Sequence, residues 1–142
     1  MNLATRRLRG QDGSIAVETA VLAPVLLVLM MLIVYAGRAA QTDADVQAAA
    51  GRAARAASLT ADAASATAAA RTVATANLAT AGIDCQTVDI TVGTEAFQAG
   101  GNVTVQVGCT VANTDLALLA VPGTRTSLGT ATQVVDTYRG GG

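Results

Sequence analysis

The sequence lacks histidine, tryptophan and lysine, and its 142 residues include only one phenylalanine and two tyrosines. Without histidine, a His-based catalytic triad is excluded, and so are the zinc sites that use imidazole ligands. The only two cysteines, Cys85 and Cys109, are too far apart in the chain for a Cys pair at metal-ligand spacing. We therefore expect no enzymatic activity, no metal site and no cofactor.

Charged residues are also scarce, at 13% of the chain. Residues 37–142 contain six arginines and eight acidic residues, which gives this part a net charge of −2. A protein that follows a phosphate backbone needs a basic surface instead. The sequence thus predicts no nucleic-acid partner.

Alanine is the residue in excess, with 32 copies in the chain. Alanine faces allow helices to approach closely, but each side chain removes little apolar area from water. A small alanine-rich domain therefore needs additional stabilisation from a membrane, a disulfide or neighbouring subunits.

A long apolar run occupies residues 15–36, with the sequence IAVETAVLAPVLLVLMMLIVYA. As a helix, these 22 residues extend for about 33 Å, which is enough to cross the hydrocarbon core of a bilayer. We predict a transmembrane helix over residues 14–36. Three arginines precede it in residues 1–13, so the positive-inside rule places this basic leader in the cytoplasm and the remainder outside.

Glu18 is unexpected inside such a run, because an ionised carboxylate in a membrane helix needs a partner or access to the headgroups. Two interpretations are open. In the first, Glu18 lies close enough to the cytoplasmic interface to reach water and has no further role. In the second, it pairs with a specific positive charge.

The residues around Glu18 form a recognisable pattern: a basic leader that ends at Gly13, the small residue Ser14, Glu18 at the fifth position after the glycine, and then the apolar helix. This pattern resembles the processing signal of type IV prepilins. Within that superfamily, residues 13–38 are most similar to TadE-like proteins, which are pseudopilins or minor pilins of the tight-adherence pilus used in cell adhesion. The Glu-Tyr pair of the major pilin is absent.

The resemblance implies a membrane protein that takes part in pilus assembly. It implies that a prepilin peptidase cleaves between Gly13 and Ser14 and that Glu18 neutralises the N-terminal amine of a neighbouring subunit. Its partners would be the membrane, the peptidase, other pilins and the pilus assembly platform. The C-terminal domain would be exoplasmic, in the membrane or in the pilus itself.

Two alternatives from other classes remain open. The chain could be a permanent single-pass membrane subunit of the pilus secretion machinery, which never enters a filament. It could also be a secreted soluble binding module released after Ala36, because Val34 and Ala36 satisfy the small-residue rule of signal peptidase.

Beyond the membrane segment, high helix propensity and the absence of proline predict that the first helix continues to about Ala57 as an alanine-rich stalk. The apolar face of this stalk is almost all alanine, with Val46 the only larger apolar residue on it. Two interpretations are open: this face packs closely against another helix, or the helix is exposed to solvent. A second helix is expected over residues 61–80, with Ser58 or Thr60 as its N-cap and Gly82 in the C′ position. Residues 37–81 thus form a helical region.

Residues 82–142 change to a period of two, which predicts a small antiparallel sheet of about three strands and an α+β fold. The first two strands cover residues 87–92 and 103–111, and the third covers about 125–138. The loop between the first two is rich in glycine. We expect a helical turn or loop at residues 114–123 and a flexible tail at 140–142. The valine pattern predicts three cross-strand pairs on one face of the sheet: Val92 with Val103, Ile90 with Val105, and Val88 with Val107.

Cys85 and Cys109 both lie on the outward side in this topology, where disulfides persist. We predict a disulfide between them, with two free buried thiols as the alternative. In the register given above, Cys109 opposes Gln86 rather than Cys85. A strand irregularity before Val88 is therefore also predicted.

Overall fold

The computed structural model describes residues 12–113 and 123–140, with the backbone alone for residues 12–16 and 139–140. The elements, in chain order, are α1 (Asp12–Ser58), α2 (Ala63–Thr80), β1 (Thr87–Gly93), β2 (Asn102–Ala112), β3 (Thr124–Val134) and a short 3-10 helix (Thr137–Gly140). The three strands form one sheet in the order β1-β2-β3, and both pairings are antiparallel. The predicted α+β class with a long N-terminal helix is confirmed.

The chain divides into two compact units, residues 1–37 and residues 38–142. In the first unit, the described part is the N-terminal portion of α1, whose side chains from residue 17 onwards are almost all exposed. The second unit contains the rest of α1, α2 and the whole sheet.

The core of the second unit forms between the two helices and one face of the sheet. Its helical side chains recur every three or four residues, as expected for one helix face, and almost all are alanine: Val46, Ala49, Ala50, Ala53, Ala54 and Ala57 from α1, and Ala66, Ala70, Ala74 and Leu78 from α2. The sheet contributes mainly valines of β2. The alanine face of residues 37–57 therefore makes close contacts, and the alternative of a solvent-exposed stalk is wrong.

The N-cap of α2 is Asp62, so the prediction of Ser58 or Thr60 is wrong. Asp62 accepts a hydrogen bond from the backbone N–H of Ser65 at 2.9 Å. Ser58 and Thr60 instead donate their hydroxyls to carbonyl oxygens at the end of α1, each at 2.8 Å. The Ser58 hydroxyl supplies the Arg55 carbonyl with a donor at the helix end, and the Ala57 carbonyl accepts from the Thr60 N–H at 3.1 Å as well as from the Thr60 hydroxyl. Gly82 follows the C-cap residue with φ +70°, as the C′ prediction requires.

The register of the first hairpin differs by two residues from the predicted one. The observed pairs are Val92 with Val105, Ile90 with Val107, and Val88 with Cys109. A shift of two residues leaves every side chain on its original face, because the period of a strand is two. The valine pattern identified the buried face correctly but could not distinguish these two registers.

β3 ends at Val134, whereas the sequence predicted a strand as far as Tyr138. Beyond the strand, the backbone N–H of Tyr138 bonds to the side chain of Asp136 at 3.0 Å. This local turn leads into the 3-10 helix and ends the extended conformation. Of the turn or loop predicted at 114–123, residues 114–122 lie outside the described residues, as do residues 141–142 of the predicted tail.

Candidate functional site

Gly13 and Ser14 lie in the first turn of α1, and Glu18 follows one turn after Ser14. Residues four apart occupy the same face of a helix, so Ser14 and Glu18 are neighbours on that face. The first backbone N–H groups of a helix have no intrahelical acceptor. The Gly13–Ser14 bond therefore lies in the part of α1 that unwinds most easily.

The Glu18 side chain is exposed, and its helical neighbours Val17, Val21 and Leu22 are 66%, 64% and 51% exposed. Among the side chains that the structure describes, those of residues 17–113 and 123–138, none forms an ion pair or hydrogen bond with the Glu18 side chain. The helix thus presents an exposed carboxylate on an apolar surface.

The apolar surface around this carboxylate is unusually large. Every residue from 25 to 34 is a large apolar residue with at least 36% of its surface exposed, so the apolar surface surrounds the helix on all sides. Mean hydropathy reaches 2.6, and α1 is the one helix of the described chain that is long and apolar enough to cross a membrane. Such a surface is stable only in a bilayer or against other apolar helices.

Cys85 and Cys109 form a disulfide, with a Cα–Cα distance of 5.4 Å. Cys85 precedes β1, and Cys109 is fully buried in β2. The N–H of Gln86 bonds to the carbonyl of Thr110 at 2.7 Å, although Thr110 is already the register partner of Thr87. Two successive residues thus oppose one, which is the arrangement of a β-bulge. The predicted irregularity before Val88 is present.

A third set of contacts joins α1 to the edge strand β3. The side-chain amide of Gln47 donates to the Thr130 carbonyl at 2.8 Å and accepts from the Thr130 N–H at 3.1 Å. Arg125 forms an ion pair with Asp43 at 2.5 Å. At Gly129, the α1 backbone comes so close that a Cβ would be 2.6 Å from the Val46 carbonyl oxygen.

Sequence reasoning did not identify Asp43, Gln47, Arg125 or Gly129 as contact residues between α1 and β3. One signal could have identified Gly129, because an isolated glycine inside a strand pattern often marks a close backbone approach. Asp43, Gln47 and Arg125 carry no comparable signal, since polar residues on a helix face and at a strand end are ordinarily solvated.

The pKa of the Asp43 carboxyl is lowered from its ordinary value of 3.8 by the Ser127 hydroxyl and by the Arg125 guanidinium, while partial burial opposes them. The Arg125 contact is the firmer of the two, since the Ser127 hydroxyl oxygen is buried and has no partner in hydrogen-bonding geometry. Asp43 therefore stays ionised and holds Arg125 at the end of β3. The described residues contain no group of three His, Cys, Asp or Glu side chains placed to hold a metal.

Residues 13–55 match the family model described as TadE-like protein. No curated protein and no solved structure matches the chain. The match begins at Gly13 and includes Ser14, Glu18 and the whole apolar run, which are the residues that carried the resemblance. Residues 13–55 are therefore similar to TadE-like proteins, the family that the sequence pattern resembled.

Proposed function

We propose that this chain is a pilin-like membrane protein, a minor pilin or pseudopilin, that takes part in assembly of a tight-adherence type IV pilus. The observation that carries the proposal is the exposed Glu18 carboxylate on the apolar part of α1, at the fifth position after Gly13, inside the segment that matches TadE-like proteins. Its role is structural and it catalyses no reaction.

In this proposal, a prepilin peptidase cleaves the Gly13–Ser14 bond on the cytoplasmic side. Cleavage removes the basic leader and creates a new α-amine at Ser14, one helical turn from Glu18. An unpaired charge in a membrane helix costs about 2.5–3.5 kcal/mol at the centre of the bilayer and less near its surface. A carboxylate and an amine that meet there lower this cost for each other, so Glu18 favours contact with the N-terminus of a neighbouring subunit.

The remainder of the chain lies on the exoplasmic side in this topology. The Cys85–Cys109 disulfide supports that placement, because disulfides persist outside the cytoplasm and are rare within it. The unit of residues 38–142 would then be available to partners in the pilus or in its assembly platform.

Processing is tested by expressing the chain with its cognate prepilin peptidase and measuring the intact mass. We expect loss of residues 1–13. Gly13→Val should block cleavage, and Gly10→Val, which changes another leader glycine, should not.

The same mass measurement separates the alternatives. A product that begins at Gly37 would support a secreted module and contradict the proposal. A chain that stays uncut in the presence of active peptidase would support a permanent membrane subunit instead.

A further inference from the structure

The two edges of the sheet differ in whether their backbone groups are occupied. On β3, the N–H and C=O of Thr130 are both bonded to the Gln47 side chain, which takes the place that a further strand would occupy. The Asp43–Arg125 ion pair lies along the same strand. The β3 edge is therefore protected against strand addition.

The free edge of β1 exposes the backbone groups of Val88, Ile90 and Val92. The backbone N–H and C=O of Thr130 point away from β2, so Thr130 and its register partner Gln106 form a non-hydrogen-bonded pair. The backbone N–H and C=O of Gln106 therefore point towards β1. The paired Thr91 then faces β2, and Val88, Ile90 and Val92 face outwards. Of the described residues, none outside β2 bonds to the backbone of these three.

A groove of about 350 Å³ runs beside this edge, between α2 and the start of β1. Leu78 and Ala79 of α2 line one side, Val88 of β1 lines the other, and Ile83 and Cys85 close one end. Val88 is 43% exposed although its side chain lies on the buried face of the sheet. An added strand would place alternate side chains in this groove, which is the geometry by which sheet edges bind extended peptides.

The charge around the edge selects the kind of strand that fits. Residues 81–101 contain three acidic residues, Asp84, Asp89 and Glu95, and no basic residue. Asp84 lines the groove, and Asp89 lies within β1 on the exposed face. A second copy paired through β1 would bring these acids together, whereas a basic strand would neutralise them.

We infer that the β1 edge and the adjoining groove bind an extended segment of another protein, which adds as a fourth strand. That segment is apolar at alternate positions and basic at the positions between. Its main-chain groups pair with Val88, Ile90 and Val92, its apolar side chains enter the groove, and its cations lie on the opposite face, beside Asp89. Binding at this edge does not depend on cleavage at Gly13 or on Glu18, so either proposal can fail without the other.

The test uses the full disulfide-bonded chain in an uncharged detergent and a capped seven-residue peptide that alternates valine with arginine. A peptide of equal length that alternates valine with glutamate is the matched probe. Binding is measured by fluorescence anisotropy, and amide hydrogen exchange identifies the strand that becomes protected. We expect the arginine peptide to bind and to protect Val88, Ile90 and Val92.

Two variants with matched controls locate the site. Val88→Pro removes an outward N–H without breaking a bond to β2 and should weaken the arginine peptide about tenfold or more. Leu128→Pro makes the same change on β3, where the N–H also points away from β2, and should leave affinity unchanged. Asp89→Asn keeps the strand intact and should weaken the arginine peptide by several-fold.

Three results would overturn the inference: no binding of the arginine peptide, equal binding of the glutamate peptide, or an affinity that Asp89→Asn leaves unchanged. Self-association of the wild type that Val88→Pro abolishes would assign the edge to a second copy and contradict a basic partner. If Val88→Pro does not fold, Asp89→Asn and the exchange pattern decide.

Discussion

Gly129, in the middle of β3, is where the α1 backbone leaves no room for a side chain. A Cβ would lie 2.6 Å from the Val46 carbonyl oxygen and 2.8 Å from the Gln47 Cα, both of them backbone atoms that cannot rotate away. The close approach also lets the Gln47 amide reach Thr130. One missing side chain thus sets how near α1 lies to the sheet.

We predict that Gly129→Ala lowers the free energy of unfolding by about 1–3 kcal/mol, because the helix and strand must separate to admit the methyl group. Gly51→Ala is the matched control. A Cβ at Gly51 meets nothing within 4 Å, and this residue lies inside α1, so alanine should stabilise the protein by about 0.5–1 kcal/mol. Urea denaturation of both variants measures the difference, and equal stabilisation would contradict the close approach.

Asp43 gives a prediction about pH, because its pKa is lower in the folded chain than the ordinary value of 3.8. A group of this kind stabilises the fold fully above its unfolded pKa, and the contribution disappears as pH falls through the lower, folded pKa. We therefore expect wild type to be more stable than Asp43→Asn at pH 7 and the difference to vanish once the pH falls below the folded pKa of Asp43.

The difference in the free energy of unfolding should be small, about 0.2–1 kcal/mol. The Asp43 and Arg125 side chains are 47% and 30% exposed, so water screens the pair. Urea denaturation at several pH values measures it. High salt is the control, since screening should reduce the difference at pH 7. A difference that grows at low pH would show that Asp43 acts in another way.

At the scale of elements, the sequence predicted what depends on a repeating pattern. The alternation of valines identified the buried face of β2, and the alanine spacing matched the buried face of α1. It could not fix the hairpin register, because registers two residues apart bury the same faces. It also could not choose the N-cap among Ser58, Thr60 and Asp62, since all three residue types cap helices and the first two are used by α1.

The candidate site residues also fall into those that the sequence could predict and those that it could not. Gly13, Ser14 and Glu18 belong to a local motif, which is identified from the sequence alone. The contacts of Asp43, Gln47 and Arg125 join residues more than eighty positions apart, as in the pairing of Gln47 with Thr130 at a separation of 83. No local sequence pattern predicts such a contact, because the contact depends on the strand register and on how α1 packs against the sheet.

The disulfide links two parts of the sheet region, since it joins Cys85, just before β1, to Cys109 in β2 across 24 residues. We predict that Cys85→Ala and Cys109→Ala each lower the free energy of unfolding by about 3–4 kcal/mol, because each removes the same cross-link. The double variant should be little worse than either single one. Urea denaturation tests this, and two reactive thiols in the unreduced, denatured wild type would contradict it.

At the scale of the whole molecule, the two compact units solve different problems of burial. Residues 38–142 bury an alanine-rich core that is closed by a disulfide. The described side chains of residues 17–34 bury nothing within the chain and expose large apolar groups on every face. The apolar surface of residues 17–34 needs apolar surroundings from outside the chain, which a bilayer and other membrane helices provide.

In our proposal, Glu18 selects which membrane helices can pack against this apolar surface, because its carboxylate requires a positively charged partner. We predict that Glu18→Ala and the isosteric Glu18→Gln are still cleaved after Gly13 but fail to join their assembly partners. Neither variant alters the cleavage site, and both remove the charge that can pair with an N-terminal amine. Glu95→Ala, which removes a carboxylate from the loop between β1 and β2, is the control and should assemble normally.

The measurement is co-purification of each variant with sheared pili or with the assembly platform, normalised to its level in the membrane. That normalisation separates the two interpretations of Glu18. Removing a membrane carboxylate favours insertion by up to about 2.5–3.5 kcal/mol, so a glutamate without a partner predicts equal or higher membrane levels and unchanged assembly. A glutamate that pairs with an amine predicts undiminished membrane levels and lost incorporation, because the partner's charge would enter the bundle unpaired at a cost of about 3–5 kcal/mol. Recovery of Glu18→Gln at the wild-type level would therefore reject the pairing.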